Sequence, residues 1–152
     1  MKKFFSLALL VIVIDQVSKY LVTASLNVGQ TVPIIPDIFH ITYIRNPGAA
    51  FGILPNQRLF FILVTLAVIT VLIVYARQMK HHALLQIAFG LQLGGAAGNL
   101  IDRLFHGPVV DFLDFRFWPV FNIADSAIVI GVGLFALDLF VDWRGERSKH
   151  GT

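Results

Sequence analysis

Four long apolar blocks make up most of this chain, and its polar residues fall between them or at a few places inside them. The first block, residues 4–22, follows Lys2 and Lys3 and is interrupted by Asp15, Gln16 and Lys19. A basic start ahead of an apolar core is also the pattern of a cleaved signal peptide. Here the run continues past the acid to near the roughly 20 residues that cross a bilayer, which predicts a retained helix. Residues 59–76 carry no charge and predict a second span that acts as scaffold. Residues 84–101 predict a third, whose second half, Gly94-Gly95-Ala96-Ala97-Gly98-Asn99, is small-sided enough for neighbouring helices to come close. Residues 120–141 predict the fourth, with Asn122, Asp125 and Ser126 on one face of its first turns.

The connections are patterned differently. Pro33, Pro36, Pro47 and Pro55 rule out a continuous helix over residues 25–58. Within that segment His40 to Arg45 alternates loosely among β-branched and aromatic residues, which predicts short strands at the membrane surface. Asn46 to Gly52 follows as a turn of small residues, a hairpin connection in preference to a ligand-binding loop.

Composition narrows the class. The chain has 152 residues, 57% apolar and 14% charged, with a mean hydropathy of +0.77, so a single integral membrane domain over residues 1–152 is expected. The absence of cysteine excludes a disulfide framework, a thiolate metal site and a cysteine nucleophile. The net charge of +3 is spread unevenly and reads as a topology signal, not as a nucleic-acid footprint. Lys2, Lys3, Arg77, Lys80, Arg144, Arg147 and Lys149 fall on one side of four spans, against Arg45, Arg58, Arg103 and Arg116 on the other. The excess places both termini in the cytoplasm and the two irregular segments outside. His81 and His82 read as part of a hydrated basic loop, and no metal-ligand spacing occurs.

On that topology Asp15, Asn46, Asn99, Asp102, Asp111, Asn122 and Asp125 all fall in the outer half, which favours one polar site over scattered salt bridges. Asp15 and Lys19, four apart on one helix face, are either a self-neutralising pair that lets the helix insert or a polar face turned to the bundle interior. Gln92, Gly95, Asn99 and Asp102/Arg103 share a stripe that should face inward. Asp102 and Arg103 read as a salt bridge at the helix end. Zinc hydrolysis lacks ligands, and nothing marks Ser126 or Ser18 as a nucleophile activated by Lys19. Paired carboxylates fit better: of two acids sharing a proton, one can draw a proton from water while the other donates to a scissile carbonyl. Asp111 and Asp125 can both face a substrate arriving at the outer surface. A polar-lined transporter is the rival class, but it predicts polar residues near the midplane and internal repeats, and no repeat occurs.

VIDQVSKY around Asp15, NPGAAFG around Asn46, GNLIDR around Asp102, VVDF around Asp111 and FNIADS around Asp125 together resemble, in order, the five sequence blocks of the bacterial lipoprotein signal peptidases (signal peptidase II). The resemblance implies a mainly α membrane protein of four transmembrane helices with a small extracytoplasmic β-sheet cradle and an outer loop over the active site. It implies an aspartic endopeptidase of the inner membrane that cleaves prolipoproteins before a diacylglyceryl-modified cysteine, with Asp111 and Asp125 as the dyad. It further implies that Asp102 is supporting, that Asn46, Gly48, Asn99, Arg103, Asn122 and Ala124 line the substrate or inhibitor pocket, and that Asp15 and Lys19 support the site. Lipid-modified precursors, membrane lipid and globomycin-type inhibitors are the partners implied, with no cofactor, metal or nucleic acid.

Overall fold

The computed structural model describes residues 1–48 and 56–150, with side chains described as far as Arg144. Helix α1 (Lys2–Ser25) leads into strands β1 (Thr31–Ile35) and β2 (Phe39–Asn46). Helices α2 (Arg58–Gln78) and α3 (Ala83–Phe105), strand β3 (Val109–Asp114) and helix α4 (Ile123–His150) follow. All four helices are long and apolar enough to cross a membrane, as the four apolar blocks predicted. Each begins or ends beyond its apolar run. The last is the one displaced inward: residues 120–122 are not helical, and α4 starts at Ile123.

Helix α3 is the hub. Its window of highest hydropathy is 67% buried, against 28% or less in the other three, because glycine and alanine on several faces admit three neighbours at once. A Cβ on Gly94 would lie 2.6 Å from that of Val11 in α1, and one on Gly131 of α4 would lie 2.6 Å from the Ala88 carbonyl oxygen. A methyl on Gly95 would collide with the Ala124 carbonyl oxygen, whereas one on Gly133 meets nothing within 4 Å. Gly95→Ala should therefore cost roughly 1–3 kcal/mol by overpacking and Gly133→Ala almost nothing. Paired thermal unfolding in one detergent is the check, and equal midpoints for the two variants would contradict this packing.

The buried positions of α1 are Phe4, Ala8, Val11, Asp15 and Lys19, a single stripe at helical spacing. Leu9, Leu10, Val13, Ile14, Val17 and Leu21 on the remaining faces are exposed, as lipid-facing side chains should be. Phe4 and Ala8 of this stripe join Leu72 and Ala76 of α2 with Leu85, Phe89 and Leu93 of α3 in the core.

The predicted strand around His40 is present as β2, the middle of a three-stranded antiparallel sheet in the order β1-β2-β3. Pro33 sits in β1, an edge strand, where a missing donor is tolerated. Residues 109–114, too few to announce a strand by their own pattern, form β3, with Ile44 opposite Asp111 and Asn46 opposite Val109. Beyond β3 the chain makes a short excursion and returns. Phe121 donates to and accepts from Leu113 and also accepts from the Phe112 N–H, so its neighbour Asn122 is delivered beside β3. Most of the Asn46–Gly52 turn lies outside the described residues.

Candidate active site

The N-terminus of α4 is closed by a reciprocal pair. The Asp125 N–H donates to Asn122 Oδ1 at 2.9 Å, and the Asn122 N–H donates to Asp125 Oδ2 at 3.3 Å. This is a capping box in which asparagine is the cap and the acid is an aspartate three residues on. Its neighbour Ala124 donates its N–H to Asp15 Oδ1 of α1 at 2.9 Å, so a second carboxylate lies at the positive end of the helix.

Asp111 reaches the same place from the sheet. Strand alternation sends Val110 and Phe112 into a cluster with Tyr43, while Val109 and Asp111 face the opposite way. Asp111 Oδ1 accepts from Asn122 Nδ2 at 2.7 Å and Oδ2 from Asn46 Nδ2 at 3.0 Å. Burial and the neighbouring Asp125 carboxylate push the Asp111 carboxyl up to about 7, against the lowering effect of those two amides and of Lys19. Asp114, on the same strand, behaves oppositely. Burial would raise it, but the Thr42 hydroxyl and the amide and guanidinium of Arg116 together hold it below the usual carboxylate range. It anchors the end of β3 and is not part of the cluster.

Behind the two acids lies a buried ionic hub. The Lys19 ammonium, 3% exposed, spends its three hydrogens on Asp15 Oδ2 at 2.8 Å, Asp102 Oδ2 at 2.9 Å and Asn99 Oδ1 at 3.0 Å. Gln16 Nε2 lies 3.1 Å from both Asp15 and Asp102 and adds a bridge between them. Asn99 turns its amide nitrogen outward to Asp125 Oδ1 at 2.7 Å. Ammonium and backbone N–H groups can only donate, so the way up of Asn99 and Asn122 is determined by their partners. All four carboxylate oxygens of Asp111 and Asp125 therefore receive a fixed N–H donor.

The two acids line one cavity of about 670 Å³ together with Asn46, Gly48, Asn99 and Arg103. Apart from Ser126, its remaining wall is apolar, from Phe115, Phe117, Trp118 and Val120 to Ile128, Val129 and Ile130 along α4. Arg103 donates to the Gly48 carbonyl at 3.2 Å and lies 5.0 Å over the Phe61 ring. A polar end joined to an apolar trough suits a substrate with a peptide bond at one end and hydrocarbon at the other.

The seven polar residues predicted to share one layer do meet in this single network. The predicted Asp102–Arg103 salt bridge does not form. Successive helix residues point apart, so Asp102 turns to Lys19 and to the Val110 N–H at 3.1 Å, tying β3 to α3. The interior-facing account of Asp15 and Lys19 is the observed one. Asn122 and Ala124 are fully buried, at 0% exposure, behind the cavity wall and not on it. Two contributors went unnoticed in the sequence. Gln16 was visible only as a polar residue beside Asp15, and Arg58 caps the end of α3 through the Arg103 and Leu104 carbonyls.

Residues 7–141 match the family model described as signal peptidase (SPase) II. The chain is 48% identical to the lipoprotein signal peptidase of Halothermothrix orenii, over 94% of this chain and 97% of that protein. It is 50% identical to the enzyme of the same name from Moorella thermoacetica, over 96% and 97%. A solved bacterial membrane enzyme superposes with a TM-score of 0.90 at 36% identity, covering 93% of this chain and 90% of that one.

Proposed function

Because this chain belongs to the signal peptidase II family, we propose that it cleaves the signal peptide from prolipoproteins as an aspartic endopeptidase of the bacterial inner membrane. Cleavage falls N-terminal to a diacylglyceryl-modified cysteine, and Asp111 and Asp125 are the catalytic pair. The observation that carries this reading is the meeting of the two carboxylates on one cavity, both held by amide and backbone donors, with Asp111 up at about 7. On this reading the pair keeps one shared proton up to about pH 7, where Asp111 titrates, and that is the state acid–base hydrolysis of an amide needs.

Water enters between the acids. The ionised carboxylate takes a proton from water as its oxygen attacks the scissile carbonyl carbon, and the protonated carboxyl gives its proton to the carbonyl oxygen. The tetrahedral diol then collapses. One hydroxyl proton returns to the dyad, the C–N bond breaks, and the leaving cysteine nitrogen takes the proton drawn from water. The pair ends with one proton, as it began. Arg103, Asn46 and Asn99 border the peptide, and the trough along Val129 and Ile130 accommodates acyl chains. Both termini lie in the cytoplasm and the acids at the outer face, in keeping with the lysine and arginine asymmetry. A globomycin-type inhibitor would compete for this cavity. Release of a signal peptide by purified protein from a diacylglyceryl-modified precursor, with none from an unmodified one, is the test, and equal cleavage of both would overturn the substrate assignment.

The pH dependence follows from the pair. Activity should rise as the dyad loses its first proton and fall as it loses the second, with the descending limb near 7, where Asp111 titrates. Stability carries the same signature. The folded Asp111 carboxyl, up at about 7, holds its proton more tightly than in the unfolded chain, so stability falls as pH rises from about 4 through 7, by up to roughly 4 kcal/mol. Asp111→Asn should lose that slope, and its thermal midpoint should gain on the parent's between pH 4.5 and pH 8. Parallel stability curves for the two proteins would show that Asp111 does not hold the proton.

A further inference from the structure

Asn122 is bonded to both acids, and closing a helix does not by itself require an asparagine there. Its Nδ2 donates to Asp111 Oδ1 at 2.7 Å, and its backbone N–H donates to Asp125 Oδ2 at 3.3 Å. Its Oδ1 accepts from the Asp125 N–H at 2.9 Å, and its Nδ2 also lies 3.1 Å from Asn99 Oδ1. It is fully buried and forms no part of the cavity wall, so a bound peptide is held by other residues. Serine or aspartate would close the helix equally well. Neither could donate to Asp111 while accepting from the Asp125 N–H, because serine is too short and an ionised aspartate has no hydrogen to give.

We propose that Asn122 is a positioning residue of the dyad, a clamp that uses the helix cap of α4 to hold the two carboxylates at one separation and to keep a donor on Asp111. The inference deepens the aspartic mechanism and rests on it. A hydrogen bond from Asn122 favours the ionised form of Asp111, so its loss must move the titration of the pair to higher pH. The other charged groups around the clamp are Lys19 and Asp15 of α1, and Asp102 and Arg103 of α3. Asn122→Ser leaves all of them in place.

The test is Asn122→Ser assayed on a diacylglyceryl-modified precursor across pH, with thermal unfolding alongside. The cap-preserving variant should keep its midpoint within a few degrees and KM within about twofold. It should lose kcat by roughly 10²-fold, as removal of a preorganised donor does, with both limbs of the pH profile displaced upward. Asn122→Asp is the second variant, in case serine does not fold. It keeps the cap and the shape, sets a third carboxylate against Asp111, and should displace the upper limb further. A folded Asn122→Ser with the parent's kcat and pH profile overturns the clamp, and so does a raised KM at unchanged kcat, which would make Asn122 a substrate contact. Asp111→Asn and Asp125→Asn, run beside it, separate the two ideas. If those retain cleavage, the dyad itself is wrong; if they are inactive while Asn122→Ser is normal, only the clamp is.

Discussion

Asp111→Asn and Asp125→Asn will each lower cleavage of a lipid-modified precursor by about 10⁴-fold or more, with the protein still inserted and folded. The size follows from the division of labour. In the proposed mechanism one acid takes a proton as the other gives one, and members of such a unit, removed singly, cost nearly as much as the whole. An amide cannot fill either role, because it neither accepts a proton at neutral pH nor donates one to a developing alkoxide. At position 111 it also presents a single acceptor oxygen to the two amide groups of Asn46 and Asn122. Single-turnover release of the signal peptide by purified variants measures the loss. Turnover within tenfold of the parent in either variant would remove that residue from the chemistry.

The largest effect on stability should come from Lys19→Met. The methionine fills the space, but Asp15 and Asp102, at 0% and 2% exposure, are left as two buried carboxylates without their cation. Breaking a buried ion pair from one side costs roughly 3–5 kcal/mol, much of it the penalty for the charges left behind. Adding Asp102→Asn removes one of those charges and should restore part of the loss, the amide oxygen still accepting from the Val110 N–H. Thermal midpoints of the single and double variants in the same detergent decide this. A single variant as stable as the parent would mean that Lys19 is not the cation that holds the hub.

The fold was legible wherever one segment contains its own reason for being. Four uncharged or nearly uncharged runs of spanning length announce four helices, and the glycines of Gly94 to Gly98 announce the crowded hub. Elements defined by distant partners were harder to read. Strand β3 carries Asp111 and Asp114 on six residues and is a strand because β2, some 65 positions earlier, pairs with it. Asp102 stands next to Arg103 in sequence, but its ion-pair partner Lys19 sits on α1, where Gln16, 86 positions away, also donates to it. The layer shared by the polar residues could be read because membrane topology sorts side chains by depth. The order of bonds within that layer could not, since it depends on which amide oxygen faces a donor.

The hub also constrains how the protein is made. Helix α1 leaves the ribosome long before Asp102 exists, so Lys19 must enter the bilayer without one of its two acids. Only Asp15, one turn away on the same face, is available to neutralise it, and the pair travels as an internal salt until α3 arrives. The two accounts of Asp15 and Lys19 thus describe successive moments: a device for insertion first, and a foundation for the buried polar layer once Asp102, Asn99 and the Ala124 N–H have taken their places. An Asp15→Asn chain would meet its difficulty at the translocon, ahead of any question of catalysis, with an unaccompanied ammonium to carry into hydrocarbon.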